Sequence, residues 1–359
     1  MKKNYTVEIL RFIFAIFILL YHYFSYFLRD TASPSLFYHA YMGDEFFFMV
    51  SGFFLGNSVY KRLNNAYTQV DYVKNDYLLA RIKSIAFPYY ISWCLSFLGL
   101  HLNSKVTELF QDLTNSVFEL TFLDMAGFKM GYYANSVAWY LSALFICILI
   151  FAPIVEHYRN SYLLKAAPII SIFIYGILAL HTDFLFAPHT IMFGWLYKGM
   201  LRSIAGVNAG LFLYGLYRND NFVNLINRNQ IIITLTQIIS FCFIIFYLIV
   251  PTSMDYSRDY ICVLCIFILL ISILCTDSFL ERKLQKIPCV LKLGRASVYI
   301  YFSQAIIYTQ KKRIHDWNIS NYYKLLIFLL LCFLAATIVY LIERIIKKVF
   351  GLRKKTVKK

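Results

Sequence analysis

Ten apolar runs, separated by short polar breaks, leave this chain of 359 residues few folds to choose from. They cover about residues 7–28, 45–61, 84–101, 135–156, 163–180, 201–217, 229–250, 259–276, 293–310 and 323–346. Each approaches the length at which an α-helix crosses the hydrocarbon of a bilayer. Inside lipid a segment must satisfy its own backbone groups, and a helix does so without a partner. Composition agrees, since 60% of the residues are hydrophobic, 15% are charged and mean hydropathy is +0.61. A soluble domain carries roughly a quarter charged residues. The expected fold is all-α: a polytopic membrane helical bundle of about ten transmembrane helices, both termini cytoplasmic. Residues 1-346 form the transmembrane domain and 347-359 a basic cytoplasmic tail. Between the runs, Tyr72 to Ile82 reads as a short interfacial helix. Residues 102–134 read as a long loop carrying Glu108, Asp112, Glu119 and Asp124, and 181–200 as an aromatic loop with His181, His189 and Trp195.

Orientation follows from lysine and arginine bias, which marks cytoplasmic segments. With the N-terminus inside, Lys2 and Lys3 are cytoplasmic, as are Lys61, Arg62, Lys74, Arg81 and Lys83 after the second run. Arg282, Lys283, Lys286, Lys292 and Arg295 follow the eighth run, and the tail adds Arg344, Lys347, Lys348, Arg353, Lys354, Lys355, Lys358 and Lys359. Outer loops are sparser, with Arg29, Lys105, Lys129, Lys198 and Arg258. The exception is Lys311, Lys312, Arg313 and Lys324, which is either a basic outer rim or a count against ten spans. The net charge of +16 is spread between apolar spans instead of gathered on one soluble face. It therefore points to anionic lipids and not to nucleic acid.

The eight cysteines lie mostly inside apolar runs, where they act as small hydrophobes. Cys262 and Cys265 have CxxC spacing but sit within a lipid-length helix without a nearby histidine, and read as core. The first run lacks a small-residue cleavage site and holds Arg11 and His22, which sets it apart from a cleavable signal peptide.

Those two residues are the sharpest functional signal. Eleven steps of a helix return to within about 20° of the starting direction, so Arg11 and His22 share a face about 16 Å apart along the axis. Glu8, one turn before Arg11, can pair with it. Either residue alone has a bland explanation: Arg11 snorkels to the headgroups, or His22 is a hydrogen-bonded core residue. Their shared face does not, because ionisable groups in a span usually face a bundle interior or a wet cavity.

Other candidates have plainer readings. Gly52-x-x-x-Gly56 and Gly206-x-x-x-Gly210 are small-xxx-small pairs suited to helix packing. Ser51 has no base beside it in sequence and reads as a close-packing residue. His39, His101, His181 and His189 show no ligand spacing, so no metal is expected. Phe118, Phe122, Tyr132 and Tyr133 could stack on a sugar, but interfacial belts are rich in such residues anyway.

Arg11-(ten residues)-His22 resembles the Arg-x10-His signature of the acyltransferase-3 family of integral membrane acyltransferases. Further segments follow in family order. Gly43-Asp44-Glu45-Phe46-Phe47-Phe48-Met49-Val50-Ser51-Gly52-Phe53 resembles its Gly-x-(Asp/Glu)-x-Phe-Phe…Ser-Gly-Phe stretch. Arg81-Ile82 with Phe87-Pro88 resembles Arg-Ile-x-Pro, and Trp139-Tyr140-Leu141 resembles Trp-x-Leu. Leu293-Gly294-Arg295-Ala296-Ser297 with Tyr299 and Tyr301 resembles Leu-Gly-x-x-Ser…Tyr. There are departures: Gln304 stands where many members have histidine, Leu144 where many have glutamate, as in a polysaccharide-modifying branch, and Tyr77 where some have a second arginine. No hydrolase-like domain follows the bundle in this chain, so any partner domain some members carry is expected to be absent.

The resemblance implies ten helices and transfer of an acyl group, often acetyl from acetyl-CoA, onto a sugar of a surface glycan. The chemistry can be argued beside it. Transfer from a thioester to a hydroxyl needs a base near neutral pH, which suits His22. Coenzyme A phosphates need cations at the cytoplasmic mouth, where Arg11, Arg81 and Lys83 are expected. Glu45 is expected to open the second helix on the outer side. There it could orient His22 or contact sugar hydroxyls, or simply complement the helix dipole. Trp139 is the candidate on the substrate side, although packing within its motif is the plainer reading. The reading is a membrane O-acetyltransferase of a bacterial plasma membrane, with acetyl-CoA as acyl donor and a surface glycan or lipid-linked sugar as acceptor. The rival is a transporter or flippase of a lipid-linked saccharide, which should show repeat symmetry and paired broken helices.

Overall fold

A computed structural model describes residues 4–27, 36–65, 77–102, 104–128, 133–182, 184–250, 258–276, 278–310, 314 and 316–350. Ten long helices carry the architecture among these residues. They are α1 (Tyr5–Phe27), α2 (Gly43–Asn65), α3 (Tyr77–Leu100), α6 (Trp139–Ser161), α7 (Ala167–His181), α8 (Lys198–Tyr217), α10 (Gln230–Ile249), α11 (Arg258–Leu274), α13 (Val290–Tyr308) and α14 (Asn321–Val349). Short helices α4 (Val106–Asn115), α5 (Val117–Leu120), α9 (Asp220–Asn227) and α12 (Phe279–Leu284) lie between them. The 181–200 stretch is not loop throughout: β1 (Ile191–Met192) pairs antiparallel with β2 (Leu196–Tyr197), and α8 begins at Lys198.

Each expected apolar run finds its helix. Four stretches, Tyr5–Ser25, Ser136–His181, Gln230–Ile249 and Asn321–Val349, are long and apolar enough to cross a membrane on length and composition alone. Their outward faces are apolar too, with Ile172 on α7, Ile239 on α10 and Leu330 on α14 all exposed. In a soluble protein that surface would be costly, whereas lipid accepts it. The remaining long helices carry polar groups that turn inward, among them Ser51, Arg202, Asn208 and Gln304, all fully or almost fully buried.

Small residues set the tightest contact. A methyl group on Gly52 would come within 2.1 Å of the Val207 carbonyl oxygen, and one on Gly210 within 2.0 Å of the Met49 carbonyl oxygen. The two glycine pairs thus let the α2 and α8 backbones touch, the packing role their spacing suggested. α1 and α13 lie side by side and run the same way. Glu8 meets Gly294 at one end and His22 meets Tyr308 at the other, fourteen residues on in each helix, a shared length of about 21 Å.

Three expectations change. Residues 77–82 are not a separate interfacial helix but the first turns of α3; residues 72–76 lie outside the described residues. α2 does not open at the outer surface. Gly43 lies against Ile18 and the Phe14 carbonyl of α1, so α2 starts about 6–12 Å below the level of His22. The chain continues as helix past residue 346, through Lys347 and Lys348 to Val349. The remainder of the basic tail, the Lys311–Arg313 cluster, Lys2, Lys3, Arg29, Lys74, Lys129 and Tyr132 lie outside the described residues.

Candidate functional site

α2 opens below the level of His22 and α8 opens beside it, since Arg202, one turn into α8, meets Glu45; residues 36–42 and 184–197 fold into the space above. A cavity of about 500 Å³ remains there, walled by His22 on α1, Asp44 on α2, Trp139 on α6, Arg202 on α8 and Tyr301 on α13. The segment before β1 closes it with Phe186, Ala187, Pro188 and His189. This roof is pinned at both ends. The Leu185 amide donates to Asp259 Oδ2 at 2.8 Å, and the Gly199 amide donates to the Pro188 carbonyl at 2.8 Å. Asp259 also accepts from Tyr41 at 2.8 Å and Tyr247 at 2.6 Å, which ties the cavity-lining Tyr41 to the same post. Ala187 adopts a φ of +56°, a left-handed conformation that costs a non-glycine residue about 1–3 kcal/mol and that the pinned ends enforce.

The side chains around the cavity are held from several directions. The His22 ring stacks on Tyr308 at 5.9 Å, and Tyr308 shares a 2.6 Å hydroxyl contact with Ser136 on the opposite wall. Trp139 lies under the Arg202 guanidinium at 5.3 Å. Gly199 makes room for its indole, since a methyl group there would stand 2.8 Å from the ring. His189 sits in the roof; burial pushes its pKa down to about 4, so its imidazole is neutral at physiological pH.

Arg202 organises the charge. It is 1% exposed, donates from Nε to Glu45 Oε1 at 2.7 Å, and lies 3.8 Å from Asp44 Oδ2. Glu45 is wholly buried and its second oxygen accepts from Tyr175 at 2.5 Å. Both its oxygens are therefore engaged behind the cavity wall. It is Asp44, its neighbour in sequence, that faces the cavity with His22.

A second, smaller cavity of about 50 Å³ lies toward the other end of α1. Arg11, Arg81, Tyr140, Ser297 and Tyr301 are among its walls. Arg11 pairs with Glu8 at 3.2 Å. Glu8 occupies the notch of Gly294, where an added methyl would fall 1.9 Å from its carboxylate. Arg81 donates to Ser51 at 3.1 Å and lies 5.8 Å from the Tyr77 ring. Ser51 in turn bonds Tyr140 at 3.1 Å, so it is a polar link between α2, α3 and α6 and more than a packing residue. Lys83 is exposed and does not line this cavity.

Tyr301 borders both cavities. It is buried, and its hydroxyl donates to the Val137 carbonyl at 2.8 Å. The structure thus gathers His22 and Trp139 in one chamber and Arg11 with Arg81 in the next. Glu45 stands behind the first, and Lys83 lies outside the second. Gln304 is fully buried and bonds the Tyr301 carbonyl at 2.8 Å. Sequence reasoning passed over Arg202, Asp44 and Tyr301. The available signal was charge balance, because two adjacent carboxylates at the start of a span call for a buried cation. Among the described residues no three His, Cys, Asp or Glu side chains group as metal ligands.

A family model described as an acyltransferase domain matches residues 4–344. No curated protein and no solved structure matches the chain.

Proposed function

The chain belongs to the acyltransferase-3 family and is a membrane acyltransferase, and from that premise we propose that it is an O-acetyltransferase moving acetyl from cytoplasmic acetyl-CoA to a surface glycan or its lipid-linked precursor. One observation carries the reading: two chambers lie in series along α1, one with the guanidinium groups of Arg11 and Arg81 and one with the imidazoles of His22 and His189, sharing Tyr301 as a wall. Coenzyme A carries phosphates at one end and its thioester at the end of a long flexible arm. Guanidinium groups suit the phosphates through charge-assisted hydrogen bonds. In this reading Arg11 and Arg81 hold them at the cytoplasmic end, and the arm passes Tyr301 to reach the level of His22. The donor's cytoplasmic side rests on the lysine and arginine bias.

At His22 the acceptor hydroxyl attacks the thioester carbonyl while the imidazole takes its proton. A C–O bond forms, the C–S bond breaks, and the coenzyme A thiolate leaves with the proton that His22 held. The products are an acetyl ester and free coenzyme A. His189 is a second imidazole on the same chamber, but it belongs to the roof, whereas His22 continues the face of α1 that carries Arg11. Glu45 acts in this scheme as the counter-ion that fixes Arg202, and Lys83 as a charge at the membrane surface. The expected cell is bacterial and the membrane its plasma membrane.

The test is transfer of labelled acetyl from acetyl-CoA to glycan in membranes, parent against His22→Ala at matched protein level. Label on glycan that disappears in the variant supports the reading. Undiminished labelling removes His22 from the chemistry. Glycan export that depends on the protein without any labelling would favour the transporter.

A further inference from the structure

Two buried polar atoms on the walls of the cavity beside His22 lack a hydrogen-bond partner among the described residues, Asp44 Oδ1 and His189 Nε2, and only the first belongs to a carboxylate. Asp44 is 6% exposed, and its Oδ1 is buried with no hydrogen-bond partner among the described residues. Its Oδ2 lies 3.8 Å from the Arg202 guanidinium, close enough for attraction but beyond hydrogen-bond reach. Arg202 directs its Nε to Glu45 instead, at 2.7 Å. A buried acceptor left unsatisfied costs about 1–3 kcal/mol, and on the wall of a cavity a bound ligand can supply the missing donor. The neighbouring wall is suited to a sugar, with the Trp139 ring beside it and His22 across the same chamber.

We propose that Asp44 anchors the acceptor, its Oδ1 receiving a hydroxyl or ammonium proton of the sugar that is acylated. The proposal rests on the acyltransferase reading and adds to it the class of sugar. Asp44 and Glu45 set two carboxylates against the single guanidinium of Arg202. An acidic sugar would bring a third carboxylate to that point, and like charges at close range repel strongly where burial limits screening. The acceptor is therefore a neutral or amine-bearing sugar, not a uronate.

The experiment uses full-length protein in nanodiscs with labelled acetyl-CoA and glycan from the cells that natively contain the protein. Parent, Asp44→Asn and Asp44→Ala are compared. Loss of a hydrogen bond to a charged group predicts a rise of about ten- to a hundred-fold in the KM for glycan in Asp44→Ala. Asp44→Asn keeps the volume and a neutral acceptor atom, so its rise should be smaller. The KM for acetyl-CoA should move less than about two-fold in both. A purely structural Asp44 would instead lower protein yield and raise both KM values together, which overturns the proposal. So does an unchanged glycan KM in Asp44→Ala while the parent transfers acetyl. Hydrolysis of the labelled glycan places the acetyl on a particular sugar; a neutral or amino sugar supports the assignment, and a uronate overturns it. A parent that binds no acetyl-CoA and labels no glycan sinks the O-acetyltransferase reading itself, and the assignment of Asp44 with it.

Discussion

The two chambers along α1 are built in opposite ways. The one holding Arg11 and Arg81 is small, and its charges are secured by near neighbours or short polar links: Glu8 one turn away, Ser51 and Tyr77 alongside. The one holding His22 is about ten times larger, 500 against 50 Å³, and its charges meet across long sequence separations. Arg202 and Glu45 stand 157 positions apart, and the roof over them hangs from Asp259. A small site lined by two guanidinium groups suits a compact anionic group, and a roomy one suits a larger polar ligand.

The largest expected effect breaks this comparison most directly. His22→Ala should reduce acetyl transfer by about 10²–10⁴-fold, the usual contribution of a positioned base, while leaving acetyl-CoA affinity close to that of the parent. His189→Ala should cost far less. Transfer rates measured beside equilibrium binding of acetyl-CoA decide it, and a larger loss in His189→Ala would exchange the two roles.

Next comes the ion pair that shapes the larger chamber. Removing one partner of a buried pair leaves the other charge uncompensated, a loss of about 3–5 kcal/mol. Arg202→Ala should therefore lower protein yield and thermal stability sharply. The double replacement of Arg202 by Met and Glu45 by Gln should recover most of the stability without recovering transfer. If Arg202→Ala unfolds no earlier than the parent, the pair does not hold the chamber.

The smaller chamber should respond differently. Arg81→Ala and Arg11→Ala each remove charge-assisted contacts to phosphate, so the KM for acetyl-CoA should rise about ten-fold or somewhat more, with kcat less affected. Gly294→Ala offers an indirect check: it pushes on the Glu8 carboxylate and so on Arg11, and should raise the same KM by a lesser factor. A change in glycan KM instead would mean that the two chambers are not divided between donor and acceptor.

The contrast also explains what could be read in advance. The ten helices were legible because lipid imposes a length and an apolar composition on each one. Arg11 and His22 were legible because a helix fixes the angle between residues eleven apart, and the glycine pairs because four-residue spacing has one common use. Arg202 was not, since its meaning lies in two carboxylates on a helix far away in sequence. The mid-depth start of α2 was hidden for a related reason. Glu45 looks like an outer residue until Gly43 is seen against Phe14 and Ile18. Lys83 shows the converse, a charge at a promising position whose helix face turns it outward.

The smallest expected effect concerns the support of the larger chamber, in the segment from α5 to Ser136. Glu119 accepts from Trp93 at 2.8 Å and from the amides of Ala134 and Asn135 at 3.0 and 2.6 Å, while Asn135 reaches the Phe302 carbonyl at 3.2 Å. Burial pushes the Asp124 carboxyl from its ordinary 3.8 up to about 7, despite a hydrogen bond to Ser142 that acts the other way. Between those values the folded chain holds a proton there that the unfolded chain has lost. Stability then falls as pH rises through the window and levels off above pH 7. Burial raises Glu119 as well, with the same sign. Asp124→Asn removes the Asp124 share, so the variant should melt a few degrees above the parent at pH 8. The gap should narrow toward pH 4, where both side chains are neutral. Melting curves in nanodiscs at four or five pH values would show it. A gap that stays constant with pH would mean that Asp124 is not the titrating group, and the chamber's support would then have to be sensed at Glu119.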